Sequence, residues 1–537
     1  MQIGMILLRL VTLCITVVSF GKPALSEPSK PNIVFVLVDD LGFNDFSWRS
    51  SDLQNAWPNV NNLVKQGVRI DEYYTHALCT PTRTAFMTGR MPLRQGLQNG
   101  VLTPYERWGV PLSERTLAEK MKAVGYQAYG VGKWHLGYYN NASTPLQRGF
   151  DRFYGYYNGL EDHFTHKIDG YLDLVDDGHV DASRLNQYSG HLFSEKVESI
   201  INDHKESFPE KPMFLYYALQ NVHEPLQAPA EYTDSSACAH ILNPLRRVYC
   251  GMARAVDSAI GNLTQHLEAR FEDDVLLVIS GDNGGLPMAG GNNFPLRGQK
   301  TELWEGGVRN NALLYSRTLI PSTLRGTLYT GGFVHVMDWH ATFLELAGAS
   351  NLAGLPTDGF NVWPAIMQNS SSPRTEVALN IDPCTGLPPF TSNCNFTIGG
   401  YAQAAYRQGD YKLLLGVHYD IVIPVLDGAS NASAEVEWYG IPAASGGVKF
   451  NKAAGLKDGL GQTSWLFNLR DDPSERHNLY DTHPETVRQI KAKIDALAKE
   501  EIFACGSLCP VDKSAQRQAS KLGVLIPWVP PNDEALS

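Results

Sequence analysis

The stretch Asn32-Ile-Val-Phe-Val-Leu-Val38, entered from Pro31 and left through Asp39-Asp40, contains six consecutive apolar residues, four of them β-branched. A run that short and apolar on both faces fits a strand buried on both sides of a parallel sheet. Similar runs stand at 213–219 and 275–280. Segments 117–124, 189–204 and 246–267 carry apolar residues at helical spacing, and Gly125 offers the first of them a stop. Strands alternating with helices predict an α/β fold, with a mainly parallel central sheet flanked by helices. Two of the strands run into Asp39-Asp40 and Asp282-Asn283. In open α/β sheets ligands bind beyond the carboxyl ends of strands, so these four side chains are expected along one edge. Their hard oxygen donors suit Ca²⁺ or Mg²⁺ rather than zinc.

Texture changes near residue 370. Asn369-Ser-Ser-Ser-Pro373 is polar and breaker-rich. Beyond it, alternating runs at 400–406 and 410–417 and a helical pattern at 485–499 predict a smaller C-terminal α+β domain with an antiparallel sheet. At the other end, Arg9 precedes an apolar stretch over 10–20, followed by Gly21, Pro23 and Ala24-Leu-Ser26. This reads as a secretory signal. The expected organisation is a signal peptide at 1–26, a catalytic domain at 27–370 and a smaller domain at 371–537.

The chain has 537 residues and a net charge of −11, with 43% hydrophobic and 19% charged residues. That balance fits a folded protein and argues against a nucleic-acid partner. No stretch is long enough to span a bilayer, so no stable membrane insertion is expected. The protein is expected in the secretory pathway, lysosomal or secreted. Its 15 His would outweigh the negative charge if all were protonated, so a polyanion could be met in an acidic compartment. There are eight Cys; Cys14 falls in the signal and Cys79 in a motif of its own. The other six can pair in 15 ways, the simplest being 238–250, 384–394 and 505–509. Sequons begin at Asn141, Asn262, Asn369, Asn395 and Asn431.

Chemistry concentrates in Cys79-Thr-Pro81-Thr-Arg83, continued by Thr84-Ala-Phe-Met-Thr-Gly89-Arg90. Basic residues recur in Gly130-Val-Gly-Lys133-Trp-His135-Leu-Gly137, in Asn221-Val-His223-Glu-Pro225 and in Leu296-Arg-Gly-Gln-Lys300. Lys133 and His135, two apart, are expected on one face of an extended segment. Converging cations serve a transition state whose negative charge spreads over several oxygens.

The Cys79 motif and the 130–137 segment resemble the two signatures of the type I sulfatases, with Met87 where that pattern usually has Leu. The resemblance implies an alkaline-phosphatase/sulfatase-like large domain. It implies that the formylglycine-generating enzyme oxidises Cys79 to Cα-formylglycine in the endoplasmic reticulum. A hydrated aldehyde carries two hydroxyls: one attacks sulfur, and the other, deprotonated, collapses to the aldehyde and expels sulfate. It further implies one Ca²⁺ held by Asp39, Asp40, Asp282, Asn283 and residue 79. By the same resemblance Arg83 and Lys133 stabilise the hydrate, and His135 takes the proton in sulfate elimination. His223 and Lys300 grip the sulfate and protonate or stabilise the leaving oxygen.

Within the family the chain is similar to the arylsulfatase B group, the N-acetylgalactosamine-4-sulfatases. The similarity runs through 32–45, 79–89, 131–137, Arg148-Gly-Phe-Asp151, 218–227, Asp282-Asn-Gly-Gly285, 290–298, Trp304-Glu-Gly-Gly-Val-Arg309, Asp358-Gly-Phe360 and 465–478. It implies 4-sulfated N-acetylgalactosamine of chondroitin or dermatan sulfate as substrate. One departure is that no Cys lies between Cys79 and Cys238, so the rim segments 98–111 and 140–146 are expected to be built differently. Rim loops contact the group that bears the sulfate. The alternative is therefore the same chemistry on a different small sulfate ester such as a glucosinolate. Cys at position 79 disfavours a phosphatase or phosphodiesterase of the same superfold, and the complete residue set disfavours a non-catalytic binding relative.

Overall fold

The computed structural model describes residues 30–271, 275–349, 356–383, 401–416, 464–500 and 511–530. Among them, Asn32–Val38 lies in the middle of an eleven-stranded sheet. It pairs in parallel with Val275–Gly281 on one side and with Met213–Leu219 on the other. Gln127–Lys133 continues the parallel set beside Met213–Leu219, and Arg152–Tyr156 follows it. The flank beyond Val275–Gly281 is mixed: Arg309–Tyr315 is antiparallel to it, and Val68–Tyr74 is antiparallel to Arg309–Tyr315. The mainly parallel sheet predicted from the apolar runs is therefore present.

Successive strand residues point to opposite faces, and the central strand fills both sides. Ile33, Phe35 and Leu37 enter one core with Phe86, Met121 and Phe343. Val34, Val36 and Val38 enter the other with Val197, Ile201 and Ile260. All six strand side chains are fully buried, each contributing roughly 1.5–3 kcal/mol. Phe35 stacks on Phe86 of the helix Cys79–Thr88, with ring centroids 4.1 Å apart.

The helices agree with the sequence pattern and extend it. Leu117–Ala123 starts in a capping box made by Thr116 and Glu119 and stops before Gly125, at φ 98°. Ser189–Ser207 runs three residues past the pattern. Pro244–Arg270 begins early because Asn243 caps it and Pro244 suits its first turn. Among the described residues no helix is long and apolar enough to cross a membrane.

Past residue 370, Glu376–Pro383, Tyr401–Gln408, Tyr411–Gly416 and Ser464–Asn468 form a four-stranded antiparallel sheet, as expected. The chain then meets a small two-stranded sheet of Lys167–Ile168 and Tyr171–Leu172. The helix Lys513–Leu522 is followed by Leu525, whose N–H donates to the Leu172 carbonyl. Cys238 and Cys250 form the expected disulfide. Cys384, Cys394, Cys505, Cys509, the signal segment and the sequons at Asn395 and Asn431 lie outside the described residues.

A buried charge cluster joins the two sheets. Lys412 Nζ lies 3.0 Å from Glu305 and 2.8 Å from Glu475, with all three side chains excluded from solvent. The Glu305 amide donates to Glu475 at 2.6 Å, and Tyr74 donates to Glu305 at 2.6 Å. Removing the cation leaves two buried carboxylates facing one another. Lys412→Met is expected to destabilise the fold by about 3 kcal/mol in denaturant melts, with partial recovery in Lys412→Met/Glu475→Gln.

Candidate functional site

Four parallel strands deliver their carboxyl ends to one edge. Val38 and Gly281 are in register, so Asp39-Asp40 and Asp282-Asn283 emerge side by side. Met213–Leu219 leads to Asn221 and His223, and Gln127–Lys133 ends on Lys133 itself. The close approach of these last two strands requires glycine: a Cβ on Gly132 (φ 100°) would lie 1.8 Å from the Ala218 carbonyl oxygen. Across this edge lies the first turn of Cys79–Thr88.

The side chains form one buried ionic network. Lys133 Nζ donates to Asp39 Oδ2 at 2.6 Å. Arg83 Nη2 donates to Asp282 Oδ2 at 2.9 Å and stands 3.6 Å from Asp39 Oδ1. Lys300 Nζ donates to Asp40 Oδ2 at 2.8 Å and lies 2.9 Å from His223 Nε2. His223 Nδ1 sits 2.6 Å from the Glu224 carbonyl, which places its proton there and leaves Nε2 to accept from Lys300. Asn283 Nδ2 donates to Asp40 Oδ1 at 2.7 Å, while its Oδ1 is buried without a hydrogen-bond partner. Cys79 Sγ lies 3.6 Å from Asp39 Oδ1. Cys79, Asp39, Asp40 and His223 each bring a ligand atom within 4.8 Å of the others.

One expectation needs correcting. The strand ends at Lys133, and His135 takes a left-handed turn at φ 56°, so the two do not share one face of an extended segment. The chain turns because the His135 amide bonds to the Tyr157 carbonyl instead of continuing the ladder. The imidazole bonds through Nε2 to the Leu102 carbonyl at 2.9 Å, and its Nδ1 is buried without a partner.

Burial and neighbouring charge set the protonation states. Burial opposes ionisation of Asp39, but Lys133, His223 and Arg83 hold it down to about 2. Burial likewise opposes ionisation of Asp40, which Lys300 and His223 keep low. Asp282 is raised, by burial and by the adjacent Asp39 charge. Burial pushes the Cys79 thiol up to about 12. His223 is lowered by burial and by Lys300, and His135 is lowered further, by burial and by Lys133. Three carboxylates face three cations, Arg83, Lys133 and Lys300. A divalent cation would therefore leave the site net positive, suited to an anionic ester. The all-oxygen set Asp39, Asp40, Asp282 and Asn283, with the orphaned Asn283 Oδ1, fits a hard cation.

Three contributors escaped the sequence reading. Tyr216, whose hydroxyl accepts from Arg83 Nη1 at 3.3 Å, sits in an apolar run and reads as core. The Leu102 carbonyl belongs to a rim segment without local signal. Asn310, which donates to the Asn283 carbonyl at 2.7 Å, did leave a trace: paired Asn at the start of a buried strand.

A family model described as Sulfatase matches residues 31–349. Arylsulfatase J of Mus musculus is 35% identical over 486 residues, covering 88% of this chain and 77% of that protein. N-acetylgalactosamine-6-sulfatase of Homo sapiens is 28% identical over 368 residues, covering 65% of this chain and 68% of its own. The crystal structure of Ps i-CgsB in complex with k-i-k-neocarrahexaose superimposes with a TM-score of 0.70 at 25% identity, covering 92% of this chain and 97% of that one.

Proposed function

The chain belongs to the sulfatase family and hydrolyses sulfate esters; we propose that its substrate is a sulfated glycan, 4-sulfated N-acetylgalactosamine of chondroitin or dermatan sulfate. The observation that carries the reading is the convergence of Arg83, Lys133 and Lys300 on the carboxylates around residue 79. The glycan part draws support from the resemblance to the arylsulfatase B group. It is also supported by relatives named for N-acetylgalactosamine and by a structural neighbour seen with a neocarrahexaose. A secretory location, lysosomal or extracellular, accords with the Cys238–Cys250 disulfide.

The proposal includes oxidation of Cys79 to Cα-formylglycine by the formylglycine-generating enzyme, because a thiol raised to about 12 is a poor nucleophile. Hydrated, residue 79 would offer one hydroxyl to attack sulfur and a second to release the sulfate. Asp39, Asp40, Asp282 and Asn283 would hold Ca²⁺, which supplies charge to polarise a sulfate oxygen and acidify a neighbouring hydroxyl. The chain's other residues divide the remaining work. Lys133 and Arg83 keep Asp39 ionised, and Arg83 aligns Asp282. Lys300 stays protonated between Asp40 and His223, its charge placed to stabilise a leaving oxygen. His135, neutral and with Nδ1 unpartnered, can accept one.

Asn283→Leu is expected to raise the calcium concentration giving half-maximal thermal stabilisation about tenfold or more, read by melting without substrate. The activity itself is tested by sulfate release from a 4-sulfated N-acetylgalactosamine oligosaccharide, a glucosinolate and an aryl sulfate. Turnover of the sugar supports the full proposal. Aryl turnover without the sugar would keep the chemistry and overturn the substrate, with the glucosinolate arm testing the alternative.

A further inference from the structure

His135 is held by groups from outside its own strand. Its Nε2 faces the Leu102 carbonyl at 2.9 Å, so the ring proton sits there and Nδ1 keeps its lone pair. Its amide donates to the Tyr157 carbonyl at 3.0 Å. Thr80 Oγ1, next to residue 79, donates to the His135 carbonyl and accepts from the Leu102 amide, both at 3.3 Å. The segments that supply these partners are clasped by one buried side chain, Tyr138. Its hydroxyl donates to the Pro104 carbonyl, two residues past Leu102. Its ring stacks on Tyr157 with centroids 5.3 Å apart. Tyr138 is itself backed by the C-terminal segment. Trp528 meets its ring edge-on at 5.3 Å, and the Trp528 and Val529 amides both donate to the Tyr139 carbonyl, at 3.0 and 2.9 Å. Trp528 Nε1 donates to the Asp512 carboxylate at 2.9 Å, and the Asp512 amide donates to the Tyr105 carbonyl at 2.8 Å. The residues from 511 to 530 thus grip the rim segment and the turn after His135 together.

Resting on the hydrolysis of sulfate esters at residue 79, we propose that Tyr138, backed by Trp528, is a positioning residue for sulfate elimination: it fixes the Leu102 carbonyl against His135 Nε2 and so keeps Nδ1 free to take the proton. In that step His135 Nδ1 accepts the proton of the second hydroxyl on residue 79. The O–H electron pair closes the aldehyde carbonyl, and the carbon–oxygen bond to sulfate breaks, its pair leaving with the sulfate. The earlier attack on sulfur does not use His135, so the effect of Tyr138 falls on the second step. A base displaced by a fraction of an ångström, or carrying its proton on the wrong nitrogen, slows a proton transfer without loosening substrate.

The test uses 4-nitrophenyl sulfate with Tyr138→Phe, which keeps the buried ring, and Trp528→Ala, which alters a half-buried position near the end of the chain. In both, kcat should fall about tenfold. The ratio kcat/KM reports only the steps through attack on sulfur, so it should stay within about twofold. A burst of 4-nitrophenol should precede the slow turnover, and acid-quenched protein should carry sulfate on residue 79. General damage to the site would instead lower kcat/KM and the thermal midpoint together and give no burst. That pattern, or an unchanged kcat in either variant, overturns the proposal. If the wild-type protein releases no sulfate, the hydrolysis reading fails on its own. Nitrogen-15 NMR of histidine-labelled protein then decides the positioning without substrate. The His135 signal, assigned with His135→Gln, should report the Nε2–H form in the wild type and a mixture of tautomers in Tyr138→Phe. The same form in both proteins, or Nδ1–H in the wild type, overturns it.

Discussion

Cys79→Ala is expected to lower sulfate release from an aryl sulfate by at least about ten-thousand-fold, with little change in the thermal midpoint. The side chain is small and at the start of a helix whose Phe86 and Met87 carry the packing, so the fold should survive. Its chemistry should not. The thiol is 2% exposed and held protonated by burial. Protein made without the formylglycine-generating enzyme should be nearly as inactive as the variant. In active protein the tryptic peptide bearing residue 79 should be about 18 Da lighter than the thiol form. Full activity in Cys79→Ala, or in protein whose residue 79 is wholly thiol, would refute the nucleophile assignment.

Acidification is the second large effect. Burial holds His76 and His163 down to about 4, and burial with neighbouring cations lowers His135, His223 and His340 as well. These imidazoles stay neutral while folded, whereas an unfolded imidazole takes up a proton below about pH 6.5. The unfolded state then binds more protons, so stability is complete above that pH and falls as the pH drops toward 4. At pH 4.5, His76 and His163 together account for a loss on the order of 5 kcal/mol. His166 offsets part of this, because Glu161 overcomes its burial and raises it. The depressed Asp39 acts at lower pH: its contribution is intact above about pH 4 and is lost as the pH falls through about 2. Denaturant midpoints at pH 7.5, 6 and 4.5 in the presence of calcium should therefore decline, and His76→Phe should flatten the slope. A midpoint that holds or rises to pH 4.5 would contradict this reading and favour a lysosomal setting.

The reach of the sequence was uneven, for physical reasons. A strand buried on both faces can hardly be written except as an apolar run, and the acids at its carboxyl end follow directly. The strand edge and the placement of Asp39, Asp40, Asp282 and Asn283 were therefore legible in the residues alone. The turn at His135 was not, because it depends on the Tyr157 carbonyl, just past the end of the neighbouring strand Arg152–Tyr156. Spacing of two specifies a shared face only while the ladder continues. The pairing of Arg83 with Asp282, and of Lys300 with both Asp40 and His223, joins residues about 200, 260 and 77 apart. Motif order announces such residues but not which one each will hold.

The cluster of Lys412, Glu305 and Glu475 carries a lesson for dissecting the molecule. Glu305 opens a single turn of helix only five residues after Lys300, and its charge partner lies in the smaller sheet. The portion bearing the reacting groups is thus not a portable module. A fragment ending near residue 370 would expose a stranded carboxylate beside the loop that aims Lys300. Grafting, truncation or fusion should treat both sheets as one inseparable unit.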